Sequence, residues 1–382
     1  MKNHVLGLNT LLLHAAGDRD PVTGALSAPI YQVSTFHRDH ENPSKYDYSR
    51  SGNPTRDVLE EYIAKIEGGS RGFAFSSGMA AISSIFFTFS PGDHIIACRD
   101  IYGGSYRFFT QVLKQWHLDI EFVDITDNEA VEKAIKSNTK AIFLEIVSNP
   151  FLHIADLKGI LDLCRKYHLS SIVDNTFLTP YYCRPLELGA DIVLHSATKF
   201  LNGHSDVVAG LAAANSPELA DKIGFMQNAL GTILGPQDSW LLLRGLKTLG
   251  VRMERQSSSA LKIAQWLSQQ NWIRKVYHTA FPAHPRREIL NDLSSGHGPL
   301  ITFEVNHPDI ADNLRRRLSI PAIAVSLGAV ESILTHPATM SHASIPAVVR
   351  EELGITDNLF RLSVGLEDPA DIIHDFDQAA SC

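Results

Sequence analysis

Three short stretches of this chain place groups capable of chemistry directly after apolar runs. Lys199 closes Leu194-His195-Ser196-Ala197-Thr198-Lys199, between one such run and the loop Asn202-Gly203-His204-Ser205. An isolated lysine is normally solvated, but partial burial lowers an amine's pKa and frees it for Schiff-base chemistry. Asp174 ends the apolar run in Ile172-Val173-Asp174-Asn175-Thr176, where a charge is costly without a partner. It either caps the following turn or pairs with a protonated ring nitrogen. Phe75-Ser76-Ser77-Gly78-Met79-Ala80-Ala81 is a small-residue turn entering an apolar helix. Unpaired amides and the helix dipole there suit a phosphate, although any plain helix start shows the same pattern. Together the three stretches match one cofactor. The aldehyde of pyridoxal phosphate needs a lysine, its ring nitrogen an acid and its phosphate a set of donors.

The surrounding pattern supplies elements to hold these groups. Between Arg56 and about Gln227, short apolar runs alternate with helical spacing. Ile95–Cys98, Ile120–Val123, Ala141–Val147, Ser171–Val173 and Asp191–Leu194 read as strands buried on both faces. Val58, Leu59, Tyr62, Ile63 and Ile66 repeat as a helix, and Ala155–Tyr167 reads as another. The alternation predicts an α/β domain with a mainly parallel sheet, whose ligands sit beyond the carboxyl ends of the strands. From Ser239 to about Gln270 one long amphipathic helix is expected. Strand-like runs Leu300–Val305, Ala322–Val325 and Phe360–Val364 follow, in a smaller α+β domain. The expected division is an arm over 1–55, a cofactor domain over 56–240 and a C-terminal domain over 241–382. The arm is broken by Pro21, Gly24, Pro29, Pro43, Gly52 and Pro54, yet its aromatics Tyr31, Phe36, Tyr46 and Tyr48 argue that it packs on something.

Composition narrows the class. The chain has 382 residues, and 34 Lys and Arg against 42 Asp and Glu leave a net charge of −8, with no basic block. That argues against a nucleic-acid surface. The 17 histidines are scattered and show no metal-ligand spacing. Cys98, Cys164, Cys183 and Cys382 form no CxxC pair, which fits a reducing compartment, with Cys98 and Cys164 expected as buried thiols. Met1–Leu13 lacks a small-residue cleavage site, and no run of 18 apolar residues occurs. A cytoplasmic protein without a membrane span is expected.

Four longer motifs carry a resemblance. Tyr48-Ser49-Arg50-Ser51-Gly52-Asn53-Pro54-Thr55, Asp100-Ile101-Tyr102-Gly103-Gly104, Ser196-Ala197-Thr198-Lys199 and Arg361-Leu362-Ser363-Val364-Gly365 stand in that order. From near residue 7 to about residue 380 the chain resembles the Cys/Met-metabolism family of pyridoxal-phosphate enzymes, whose members include cystathionine lyases and synthases and methionine γ-lyases. The resemblance implies the fold-type-I transferase architecture, with a large domain built on a seven-stranded sheet. It implies that Lys199 carries pyridoxal 5'-phosphate and moves protons between substrate carbons. Asp174 holds the ring nitrogen protonated and Tyr102 stacks on the ring. Gly78 and Met79, through their backbone, and Ser196 and Thr198 bind the phosphate. Tyr48 and Arg50 reach the phosphate of a neighbouring subunit, in a tetramer of two active dimers. Arg361 takes the substrate α-carboxylate, assisted by Asn149 and Ser326.

Two positions bear on the reaction. Family members acting at Cγ often carry Glu just before the Ser326 position, where this chain has Val325. Methionine γ-lyases usually carry Cys where this chain has Gly104. The expectation is therefore β-elimination of cystathionine to homocysteine, pyruvate and ammonia. The alternatives are γ-lyase chemistry on cystathionine or methionine, γ-replacement on an activated homoserine, and a catalytically silent binding protein on the same fold.

Overall fold

The computed structural model describes residues 6–15, 20, 22–38, 41, 44–343 and 346–381. Pro21, Pro43 and Cys382 lie outside the described residues. Among the described residues twelve strands form two sheets. The first contains β1 (Arg71–Phe75), β2 (His94–Cys98), β3 (Asp119–Val123), β4 (Thr139–Glu145), β5 (Ser170–Asp174), β6 (Ile192–Ser196) and β7 (Gly210–Ala214). The second contains β8 (Ile273–Tyr277), β9 (Leu300–Val305), β10 (Ala322–Ile323), β11 (Ile333–Thr335) and β12 (Leu359–Ser363). The seven-stranded sheet has the order β1-β7-β6-β5-β4-β2-β3 and is mainly parallel, with β7 antiparallel to both β1 and β6. Every residue of β2 and β7 is buried, as expected for strands covered on both faces.

Contact density divides the chain into two units, residues 1–90 with 170–250 and residues 91–169 with 251–382. Residues 91–169 thus group with the C-terminal segment rather than with the rest of 56–240. The hydrogen bonds of the 149–154 turn give a physical reason. Thr302 Oγ1 donates to the Pro150 carbonyl at 2.5 Å, and His284 Nε2 lies 3.1 Å from the Leu152 carbonyl.

In the first unit, helix Pro54–Glu67 packs on β1 and β7. Its start also organises the aromatic-rich arm. Asn53 accepts from the Thr55 amide at 3.0 Å and donates through Nδ2 to the Tyr31 carbonyl at 2.9 Å. Arg56, buried, donates to the Ser49 carbonyl at 2.7 Å. The Asn53-Pro54-Thr55 stretch is therefore a helix cap that also holds the strand-like arm in place. The small residues of β7 serve close approach. A Cβ on Gly210 would stand 2.2 Å from the Ser77 carbonyl oxygen, so glycine lets the start of helix Gly78–Phe86 sit against the sheet.

The second unit carries β4-β2-β3 and the five-stranded sheet β10-β11-β12-β9-β8. Ile301, Phe303, Phe360, Leu362 and Phe376 form part of its core, with the Phe303 and Phe360 rings stacked at 5.6 Å.

Two local expectations are corrected. The long helix expected from Ser239 is two helices, Pro236–Leu246 and Leu249–Leu267. Thr248 ends the first by donating to the Gly245 carbonyl through both its amide, at 3.2 Å, and its hydroxyl, at 3.1 Å. The strand expected over Ala322–Val325 stops at Ile323, because the chain turns sharply at Ser326, whose φ is +112°. Cys98, Cys164 and Cys183 are buried and free of disulfides.

Candidate active site

In the first unit the carboxyl ends of β5 and β6 carry the expected residues. Helix Gly78–Phe86 starts beside the end of β6. Ser77 caps it by accepting from the Ala80 amide at 3.0 Å. The Gly78 and Met79 amides, the first two of the helix, have no acceptor among the described residues. A Cβ on Gly78 would lie 3.1 Å from the Ser196 Cβ, so the helix start sits against Ser196, whose hydroxyl has no partner among the described residues. Two free amides, a free hydroxyl and a helix dipole make a cradle for a phosphate. Thr198 differs from expectation in one respect. Its hydroxyl accepts from the Ala209 amide at 3.0 Å and donates to the Ala209 carbonyl at 3.2 Å. It reaches a phosphate only by giving up that longer bond. Lys199 follows on the same turn, its amide donating to the Ser196 carbonyl at 3.2 Å.

Asp174 closes β5. Its Oδ1 accepts from the Thr176 amide at 2.9 Å and the Thr176 hydroxyl at 2.6 Å. Its Oδ2 has no donor among the described residues. Burial pushes this carboxyl above the usual range, while the Thr176 hydrogen bonds and the nearby His195 act the other way. A buried carboxylate with one oxygen open is a site for a buried protonated nitrogen. One oxygen therefore fixes the turn, and the other stays open among the described residues. Thr176 had no role in the sequence reading. Its hydroxyl also accepts from the Ser196 amide at 2.9 Å, tying the acid to the end of β6. The Asp-x-Thr spacing was the available signal, because a side chain that bonds its own backbone two residues on is a common turn device.

The second unit holds the carboxylate candidate. Arg361 lies in β12 and is 2% exposed. Its Nη1 donates to Asn149 Oδ1 at 2.7 Å, and Nη2 donates to the Ser326 carbonyl at 2.8 Å and to Thr335 Oγ1 at 3.2 Å. Nε is buried without a partner among the described residues. All three acceptors are neutral, so the charge has no counter-ion among the described residues, and burial lowers its pKa to about 10. An uncompensated buried guanidinium is a strong anion site. Ser326 occupies a backbone region that residues with side chains rarely adopt, and Val325 beside it is 61% exposed. The Tyr102 amide donates to Glu145 Oε1 at 2.8 Å, while its side chain remains exposed. Gly104 is what permits this ring position, since a Cβ there would meet Tyr102 Cε1 at 2.4 Å.

Comparison with known proteins adds to this geometry. The family model described as "Cys/Met metabolism PLP-dependent enzyme" matches residues 9–381. The chain belongs to that family. It is 50% identical over 380 residues to the cystathionine beta-lyase MetC of Bacillus subtilis (strain 168), covering 99% of this chain and 97% of that one. It is 48% identical over 371 residues to a cystathionine gamma-lyase of the same organism, covering 97% and 98%. The crystal structure of cystathionine gamma-lyase from Lactobacillus plantarum complexed with L-serine superposes with a TM-score of 0.96 at 45% identity, covering 98% of each chain.

The residues present fit the cofactor of a Cys/Met-metabolism enzyme. The Gly78–Met79 cradle suits its phosphate, the open Asp174 oxygen its ring nitrogen and the Lys199 amine its aldehyde. Tyr48 and Arg50 lie in the first unit and line a cavity of about 350 Å³ with Gln32, Val33, Gly231 and Ile233. The Arg50 guanidinium is 5.8 Å from the centre of the Tyr48 ring. Among the described residues no group of His, Cys, Asp or Glu is placed to hold a metal ion. No helix among them is long and apolar enough to cross a membrane.

Proposed function

We propose that this chain is a carbon–sulfur lyase that converts cystathionine and water to homocysteine, pyruvate and ammonia by β-elimination. The observation that carries the choice is Val325, an exposed apolar side chain beside the Arg361 subsite. A substrate activated at Cγ needs its distal ammonium anchored and a further proton removed from Cβ, and a carboxylate at this position is suited to the anchoring. Valine offers no such partner. The relatives named cystathionine beta-lyase support the reading, and those named gamma-lyase support γ-elimination as the second reading. When bound, pyridoxal phosphate supplies an electron-withdrawing ring that stabilises negative charge on the substrate α-carbon.

The chain's own residues divide the remaining tasks. Lys199 anchors the cofactor, and its Nζ takes and returns the substrate proton. Asp174 Oδ2 keeps a proton on the ring nitrogen, and Thr176 holds the carboxylate in the orientation this requires. Gly78, Met79, Ser196 and Thr198 hold the phosphate, and Tyr102 covers the ring face. Arg361, with Asn149 and Ser326, orients the α-carboxylate.

Product analysis tests the reaction. With wild-type enzyme and cystathionine, pyruvate is expected in clear excess over 2-oxobutyrate. Dominant 2-oxobutyrate would replace β-elimination by the γ-lyase reading, with the cofactor assignment untouched.

The proposal extends to assembly and place. Tyr48 and Arg50 complete the phosphate site of a neighbouring subunit, in a cytoplasmic tetramer of two active dimers. Mixing an inactive Arg50→Ala chain with an inactive Lys199→Ala chain is then expected to restore part of the activity, because one site of each hybrid has both residues intact. Verified hybrids without recovery would put the arm in its own subunit's site.

A further inference from the structure

The Arg361 subsite has a support behind it that no task above requires. His342 is 1% exposed, with Nε2 3.2 Å from the Asn149 carbonyl oxygen and Nδ1 2.8 Å from Ser341 Oγ. A carbonyl only accepts, so Nε2 carries the hydrogen and donates to it. Nδ1 is then the acceptor for the Ser341 hydroxyl. Burial, and after it the Arg361 charge, push His342 down to about 4, so the ring is neutral at ordinary pH and this pattern persists.

Asn149 is the residue both groups share. Its main chain is held by the imidazole, and its Oδ1 accepts from Arg361 Nη1 at 2.7 Å. Arg361 can only donate, so the amide is oriented with oxygen toward the guanidinium and nitrogen away. Asn149 Nδ2 has no acceptor among the described residues and is available to a ligand. Nη2 is fixed independently, by the Ser326 carbonyl and by Thr335, whose own hydroxyl donates to the Ala324 carbonyl at 2.8 Å. Among the described residues Nη1 has Asn149 alone. Any shift of the Asn149 main chain therefore moves both the amide and one arm of the guanidinium. Removing the imidazole donor invites such a shift, because a buried carbonyl without a partner is unfavourable.

We propose that His342 is a positioning residue for α-carboxylate recognition, holding Asn149 so that its amide and Arg361 meet the carboxylate in a single arrangement. This rests on the reading of Arg361 as the carboxylate site. A space-filling role for His342 needs only its volume, whereas this role needs a donor at the Nε2 position.

The experiment uses enzyme loaded with pyridoxal phosphate, titrated with glycine and with methylamine, and followed by the visible absorbance of the bound cofactor. The two ligands share an amine and differ by the carboxylate. His342→Phe is expected to weaken glycine about tenfold and to leave methylamine within about twofold. His342→Gln, whose amide nitrogen can take the place of Nε2, is expected to restore most of the loss. With cystathionine the change should fall on KM rather than kcat. If the phenylalanine variant does not fold, Ser341→Ala keeps the ring, removes the donor to Nδ1 and is expected to give a milder loss of the same carboxylate selectivity. Unchanged glycine affinity, equal weakening of both ligands, or no rescue by glutamine overturns the proposal. Arg361→Lys separates the two readings. If it too leaves glycine unaffected, the carboxylate site is elsewhere; if it weakens glycine while His342→Phe does not, only the role of His342 fails.

Discussion

Lys199→Ala is expected to abolish the visible absorbance of the lysine-linked cofactor and to lower turnover by about 10³-fold or more. The side chain is needed twice, to hold the cofactor and to carry a proton at Nζ, so both readouts fall together. The fold should survive. The turn that bears Lys199 is held by its backbone, with the Lys199 amide donating to the Ser196 carbonyl at 3.2 Å and the Gly203 amide donating to the Lys199 carbonyl at 2.8 Å. Neither bond needs the amine. A variant that keeps the absorbance and its activity would remove the central assignment. A variant that loses activity together with its circular dichroism would show only that the turn had collapsed, and Lys199→Arg, which keeps a long cationic side chain but cannot form the link, would then be the deciding measurement.

Asp174→Asn is expected to give a folded protein whose kcat is lower by about 10²–10³-fold. Asparagine is nearly the same shape and can still accept from Thr176 at the Oδ1 position. It has no negative charge to hold a proton on the ring nitrogen, and that interaction matters more as charge develops in the reaction. Stability should move the other way in cofactor-free protein. Burial raises the Asp174 pKa, so burying this acid costs the fold stability that is largest above the raised pKa, shrinks as pH falls and is gone only below the ordinary carboxylate range. At neutral pH the amide removes the penalty, and the cofactor-free variant is expected to melt no lower than wild type. Activity within about threefold of wild type would show that another group holds the ring proton. A clear loss of melting temperature would show that the carboxylate is needed mainly for the turn it forms with Thr176.

The site was legible in the sequence wherever its chemistry sits at the end of a local pattern. An apolar run identifies a buried strand, and the polar residue that ends it stands at the edge where ligands bind. Asp174 and Lys199 stand out as candidates in that way, and the four family motifs carried the cofactor and reaction class. The mainly parallel sheet followed from the same alternation, while its seven strands were what the family resemblance implied. Local patterns were weaker guides to where elements stop. Apolar spacing runs through 247 and 248 without a break, and the helix divides where Thr248 donates twice to the Gly245 carbonyl.

What the sequence determined by itself is which chemical groups are present, because residue type and strand-end position are local properties. Tertiary structure alone decided which of their atoms remain free to act. Among the described residues the Thr198 hydroxyl is engaged by Ala209, the Ser196 hydroxyl is open, and Asp174 offers one oxygen because Thr176 occupies the other. Among the described residues Arg361 lacks a counter-ion because its partners are Asn149, Ser326 and Thr335, the first of them 212 positions away. His342 reaches Asn149 across 193 positions. Hydrogen bonds are directional and short, so their pairing depends on coordinates that only the packed chain creates. Apart from the local Asp174–Thr176 pair, no residue spacing encodes them.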